Sequence, residues 1–233
     1  MAVSPATPPT TDTASDAPEA TDSAAPKTRR GKARVAEILA VAQQLFVESG
    51  LAGMTMRQVA ERIGMSLSNL QHYFPNPEAL LRGVLQQVMN AYDPAYAGVT
   101  EGIRDPVRRL EAVLRYLIAD VQQAATEKLF VEIWSLATRD AMVREAFDQM
   151  YCHHRRNLET FIAAANPGLS AAKVSLRAAL IAMQIEGLML LLSESKPQHP
   201  ELAGLAEEAV AAALLLALAP EPLLGTLNGQ RQP

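Results

Sequence analysis

The chain of 233 residues has one cysteine, Cys152. No intramolecular disulfide can form, and the cysteine-rich zinc patterns are excluded. Aromatics are 5% of the residues, and strand formers are thin beside Ala and Leu, so the bias is helical. Long apolar runs are also missing. A membrane-spanning helix needs about 20 apolar residues, and the longest uninterrupted run, Ala209–Ala219, is eleven and mostly alanine. The first 26 residues lack the basic start and apolar centre of a signal peptide. These absences predict a cytoplasmic protein without a membrane partner. Catalytic patterns are missing as well. No carboxylates pair at a motif spacing, the His153-His154 tandem is not HExxH, and neither a phosphate-cradling glycine loop nor a nucleophile elbow occurs. The expectation is a protein that is no enzyme, with no cofactor and no metal.

What is present is enough to fold. Apolar residues are 49% and charged residues 20%, outside the disordered range, and the length suits one domain or two. The net charge of -4 conceals an uneven arrangement. Residues 1–26 carry four acids and no base, and residues 27–90 carry eight bases and four acids. Residues 91–233 carry thirteen bases and seventeen acids. Positive charge is densest at Lys27, Arg29, Arg30, Lys32 and Arg34. A phosphate backbone would meet that patch first, whatever the charge of the whole.

Residues 1–28 are Thr, Ala, Pro, Ser and Asp almost throughout and predict a disordered tail. From Lys32 the apolar spacing becomes helical through Val35, Ile38, Leu39, Ala42, Leu45 and Phe46, and Gly50 ends the helix. Thr55 with Gln58 forms the pattern of a capping box opening a second helix, Met56–Ile63. Gly64 closes it, and Ser66 caps a third, Leu67–Tyr73. Asn76 then Pro77 opens a fourth, Pro77–Tyr92, followed by a linker Asp93–Asp105. Five more helices are predicted: helix 5 along Val107, Leu110, Leu114, Leu117 and Val121, helix 6 over Glu127–Ala137, helix 7 over about Asp140–Ala164, helix 8 over Ser170–Ser193 and helix 9 over Glu201–Ala219, for about nine in all and no strand. The predicted domains are 29–76 and 77–219, with helix 4 as connector and a frayed end over 220–233.

Two short helices joined by Gly64-Met65-Ser66 read as a helix-turn-helix. The second helix of such a motif enters the major groove. Leu67, Leu70 and Phe74 supply its inner face, while Ser68, Asn69, Gln71 and His72 supply a polar outer one. Asn and Gln bond adenine edges bidentately, and serine is permissive. Thr55, Arg57, Ser66 and Tyr73 stand near the helix ends, where phosphate contacts fall, and Arg29, Arg30 and Lys32 add charge. The same polar residues would also suit a plain surface helix with two ordinary caps. Order decides between the two readings, since basic arm, anchor helix, capped helix, glycine turn and polar helix follow within sixty residues.

Residues 35–81 resemble the DNA-binding region of the TetR family of transcriptional regulators. The strings are AQQLFVESG, MTMRQVAERIGMS, LSNLQHYF and NPEALL. Ala42, Phe46, Gly50 and Thr55 match the family's pattern, as do Val59-Ala60, Gly64-Met65-Ser66 and Tyr73-Phe74. Two positions depart from it: Gln71, where many members carry an aromatic residue, and Pro77, where many carry a phosphate-holding lysine. Without that lysine, the backbone N–H groups of Glu78 and Ala79 remain for phosphate.

One reading helix gives little specificity, and two copies across a two-fold axis double the contacts on a palindromic double-stranded operator. The expected homodimer surface is helices 8 and 9, through Leu176, Leu180, Gly187 and Leu191, then Leu205, Ala209, Ala212 and Leu216. The resemblance further implies a repressor with a small-molecule effector site among helices 5–8. Arg115, Phe130, Trp134, Phe147, Tyr151, His154, Phe161, Met183 and Glu186 are its candidate lining, suiting an apolar or amphipathic molecule. His154 is equally a hydrogen-bonded core residue. Burial of Glu186 would raise its pKa or demand a partner such as Arg115. The rival to a regulator is a helical protein-binding adaptor, which would leave the basic arm and the polar face of helix 3 without purpose.

Overall fold

A computed structural model describes residues 29–221. The predicted tail over 1–28 lies outside the described residues, as do residues 222–233. The elements in order are α1 (Arg29–Gly53), α2 (Met56–Arg62), α3 (Leu67–Tyr73), α4 (Pro77–Val99), α5 (Pro106–Gln122) and α6 (Ala124–Ala137). They continue with α7 (Ala141–Ala165), α8 (Ala171–Gly187), the single turn α9 (Met189–Leu192), a 3-10 turn at Pro200–Leu202, and α10 (Leu205–Leu218). The described residues contain no strand.

Local chemistry fixes the first four helices. Gly50 leaves helical geometry at φ 66°, ψ -172°, where the glycine was expected to stop α1. Thr55 accepts from the Gln58 backbone N–H while Gln58 Oε1 accepts from the Thr55 N–H, completing the capping box. Gly64 sits at φ +64° just after α2. There the Met65 N–H reaches Ala60 O at 2.9 Å and the Gly64 N–H reaches Glu61 O at 3.1 Å. Those two bonds are the Schellman pair, which satisfies carbonyls at a helix end. Ser66 and Asn76 cap α3 and α4 by accepting from Asn69 N and Ala79 N.

The helices bury two apolar cores. The first joins Ile38, Leu45 and Phe46 of α1, Val59 of α2, Leu70 of α3 and Leu80, Val84 and Val88 of α4. It also takes Leu129 and Ile133 of α6. The second is built by α5, α7, α8 and α10 around Leu110, Leu114, Leu158, Ile162 and Ile181, with Tyr96 of α4 at its edge. Gly83 lets α4 press close against α1. A Cβ there would stand 2.8 Å from Leu39 Cδ2 and 2.9 Å from Phe74 Cε1, inside any ordinary contact.

Several sequence expectations are corrected. Helix α4 does not stop at Tyr92 but runs through Pro94 to Val99, so the linker shortens to residues 100–105. Proline costs one backbone donor, and burial of Tyr96 beyond it keeps the helix going. The predicted eighth helix is split at Leu188 into α8 and α9. Pro220 and Glu221 are tied down: Arg177 donates to Pro220 O, and Glu221 accepts from both the Ser170 N–H and its hydroxyl. Helix α1 and the stretch 171–192 are long and apolar enough to cross a membrane by length and composition, a property that uninterrupted run length did not reveal. Each buries one side in the cores just described.

Candidate nucleic-acid interface and interior cavity

Helix α3 is pinned by Leu70, which is fully buried, and by Phe74 at its end. Burying one leucine contributes about 1.5–3 kcal/mol, enough to fix the face a seven-residue helix shows. The other face carries Ser68, Asn69, Gln71 and His72, all exposed. Leu67, expected on the inner face, is 37% exposed instead, because it opens the helix one turn before the α1–α2 floor begins at Leu70. Tyr73 is half-buried, with its ring edge-on to His72. Arg29, Arg30, Lys32 and Arg57 are exposed. Arg34 of the same cluster is paired with Glu37 at 2.6 Å.

Two hydroxyls expected near phosphate are already engaged. Thr55 Oγ1 accepts from the Gln58 N–H and donates to Gln58 Oε1 at 2.6 Å. Ser66 Oγ accepts from the Asn69 N–H and lies 3.1 Å from Ser68 Oγ. At the start of α4 the Ala79 N–H is taken by Asn76 Oδ1 at 2.8 Å. Of the two amides expected there for phosphate, that corrects Ala79 and leaves Glu78.

An interior cavity of about 40 Å³ lies where α4 to α9 converge. That volume is room for a water or two. Most of the wall is apolar, including Met89, Phe130, Met150, Ile185 and Met189. Its polar groups are Tyr92 and Asp120 together, Tyr151 and Glu186 together, and His153, His154 and Asn157 from α7. Tyr92 donates to Asp120 Oδ2 at 2.9 Å, and Thr126 donates to the other carboxylate oxygen. Burial raises the Asp120 carboxyl above its ordinary range, against the pull of those two bonds. Burial likewise pushes Glu186 up to about 7, although a hydrogen bond from Tyr151 and the charge of Arg155 act to lower it. Trp134 Nε1 donates to Tyr151 Oη at 3.0 Å from behind the wall. Burial holds His154 down at about 4, with the charges of Arg155 and His153 adding to the effect. A neutral His154 is a hydrogen-bonding group, and its Nδ1 lies 3.2 Å from Tyr96 Oη. Beside the cavity, Asp93 of α4 binds His153 at 2.9 Å and Asn157 at 2.8 Å, tying α4 to α7.

Residues 38–84 match the family described as bacterial regulatory proteins, tetR family. An HTH-type transcriptional regulator in the dhlA 5' region of Xanthobacter autotrophicus is 34% identical over 127 residues, 51% of this chain and 60% of that one. The chain therefore spans less than two thirds of that relative's length. The regulator BetI of Burkholderia ambifaria is 28% identical over 170 residues, 71% of this chain and 84% of BetI. Residues 38–84 are thus a tetR-family segment. Among solved structures, AibR in complex with isovaleryl coenzyme A and operator DNA superposes with a TM-score of 0.56. The match covers 80% of this chain and 99% of AibR at 19% identity, a likeness of fold.

Four of the nine predicted effector residues line the cavity: Phe130, Tyr151, His154 and Glu186. Trp134 and Phe147 stand one layer back, bonded to and stacked near Tyr151. Phe161 packs edge-on against Tyr96 instead. Arg115 is corrected outright. It lies at the surface, bound to Glu111 and Glu207, and the partner of Glu186 is Tyr151. Met183 is also corrected, since it is 64% exposed on the outside of α8. The sequence reading missed Tyr92 and Asp120. Tyr92 continues the α4 stripe of Leu85 and Val88, and Asp120 is a lone acid between the buried Leu117 and Val121. An acid inside an apolar stripe was the available signal.

The outward side of α8 and α10 is apolar. Leu176, Leu180, Gly187 and Leu191 are exposed on α8 and α9, as is Ala212 on α10. Leu205 and Leu216 are half-buried. Ala209 is buried in the second core, and Leu215 takes the outward place at 74% exposure. That corrects Ala209, because α10 turns Ala209, Ala213 and Ala217 inward, where it packs against α5 and α8. Among the described residues, no group of three or more His, Cys, Asp or Glu is arranged to hold a metal ion.

Proposed function

We propose that the protein is a homodimeric, ligand-responsive transcriptional repressor, acting in the cytoplasm on a palindromic double-stranded operator. The observation that carries the reading is α3, sunk at Leu70 and Phe74 with Ser68, Asn69, Gln71 and His72 turned outward. Asn69 and Gln71 read base edges, while Arg29, Arg30, Lys32, Arg57 and Tyr73 meet phosphates. Thr55 and Ser66 act mainly as caps that hold the helices at the groove. The exposed leucines of α8, α9 and α10 form the two-fold interface, an apolar patch that water otherwise covers at a cost. The operator-bound state of AibR, similar in fold, supports the same use of this architecture.

The effector occupies the interior cavity, and α4 carries its effect. Tyr92 and Asp93 touch the cavity groups at one end of that helix, and Leu80 and Val84 pack under α1 at the other. An effector that fits one tilt of α4 better than another shifts the population between them, and with it the spacing of the two reading helices. The test is selection of bound duplexes from a random pool by the full-length protein, followed by titration. A palindromic site is expected, with Gln71→Ala losing about tenfold or more in affinity. Removing Arg29, Arg30 and Lys32 should flatten the salt dependence. Retention of no duplex, or indifference to Gln71→Ala, would favour the protein-binding adaptor.

A further inference from the structure

We propose that the interior cavity takes an organic cation, an amine or quaternary ammonium with a short apolar body, whose charge is met by Asp120 and Glu186. The inference rests on reading the cavity as the effector site and adds the class of molecule that fills it.

Three features of the wall point the same way. Its formal charges are two carboxylates, and neither lysine nor arginine lines it. Arg155 acts on Glu186 only from outside ion-pair distance, and its own Nη2 contacts Cys152 Sγ at 3.3 Å. Each carboxylate is held by a neutral hydroxyl, Tyr92 on Asp120 and Tyr151 on Glu186. A hydroxyl donor leaves the negative charge uncompensated, so a buried cation would gain more there than a second neutral group. The rings of Tyr92, Phe130 and Tyr151 share the wall, and aromatic faces attract cations most strongly once water is excluded. An anionic ligand would meet the opposite field. Burial raises both carboxyls, a penalty on their charged forms that a bound cation would offset.

The cavity is small for such a guest, and the wall explains how it enlarges. Met89, Met150 and Met189 line it from three different helices. Methionine side chains repack at low cost and make room for an irregular apolar body. Opening there also moves α4, which bears Met89.

Three probes of equal chain length test the class: hexyltrimethylammonium, 1-hexanol and hexanoate. Each is titrated into the full-length protein, followed by calorimetry and by fluorescence of Trp134. That residue is the chain's one tryptophan and is bonded to Tyr151 of the wall. The cation should bind about tenfold or more tighter than the alcohol, with hexanoate weakest. Glu186→Gln and Asp120→Asn should each weaken the cation about tenfold while leaving the alcohol nearly unchanged. The two variants are near-isosteric and independent, so either one that folds serves, and the ranking of probes on the unaltered protein needs neither. Equal or tighter binding of hexanol or hexanoate, with Trp134 responding, overturns the cation and leaves the cavity as an effector site of another class. Undiminished cation binding in both variants overturns the role of the carboxylates. No response to any probe removes the effector site itself, and the proposal with it.

Discussion

The reading head and the cavity are built by opposite means. In α2 and α3 the polar interactions that set the helix ends are local: Thr55 with Gln58, Ser66 with Asn69, Met65 back to Ala60. The polar groups there look outward, and the apolar ones all look in except Leu67. Around the cavity the deciding pairs join distant stretches of chain, Tyr92 with Asp120, Tyr96 with His154, Trp134 with Tyr151. There the polar groups look inward, against the apolar bundle that holds them. A surface that must read a rigid duplex can be stiff and locally specified. A site that must notice a small molecule keeps unsettled charge inside, where a low dielectric magnifies it.

The largest effect expected from breaking this contrast is in the reading head. Leu70→Ala should cost about 2–5 kcal/mol of stability, as the loss of a fully buried leucine does. Gln71→Ala, one residue on, should leave stability within about 0.5 kcal/mol. Denaturant unfolding of both variants separates the fold of α3 from its outward chemistry. If Gln71→Ala destabilises as Leu70→Ala does, the polar face is structural.

The cavity should show the reverse, a polar residue whose loss stabilises. Folding raises the Glu186 carboxyl to about 7 from 4.5, so the unfolded chain releases its proton first as pH rises. The penalty on the folded state is slight at pH 5, grows through the interval, and is complete above pH 7. It is on the order of 3 kcal/mol at most. Glu186→Gln should therefore be more stable than the unaltered protein at pH 8 and nearly equal to it at pH 5. An unfolding difference that does not change with pH would mean that the carboxyl is not set by burial.

The smallest of the three effects lies between the regions. Gly83→Ala places a Cβ against Leu39 and Phe74 and should cost about 1–3 kcal/mol by forcing α4 away from α1. Operator affinity should fall with it if the tilt of α4 governs the reading helices. An unchanged affinity in a folded Gly83→Ala protein would sever that link.

The same contrast explains what was legible beforehand. Caps, the glycine turn and apolar spacing placed α3 at residues 67–73 with no knowledge of the rest of the chain. The cavity was legible only where a residue was conspicuous by type, as with Tyr151, His154 and Glu186. Arg115 and Met183 were misplaced because helical spacing tells which residues share a face, but not which face turns inward in a bundle. Asp120 was missed because the stripe around it reads as core. The length of α4 was missed because Pro94 is a breaker by propensity, and only the burial of Tyr96 overrules it.

Helix α6 belongs to both halves at once. Phe130 faces the cavity, while Leu129 and Ile133 fill the core beneath α1, and Glu132 accepts from the Leu51 N–H at the bend after Gly50. A fragment ending near Val99 would uncover the greasy underside that α6 shields. Such an excised N-terminal piece should clump or soften in isolation, so whatever grips a duplex must be studied with the remainder of the chain attached.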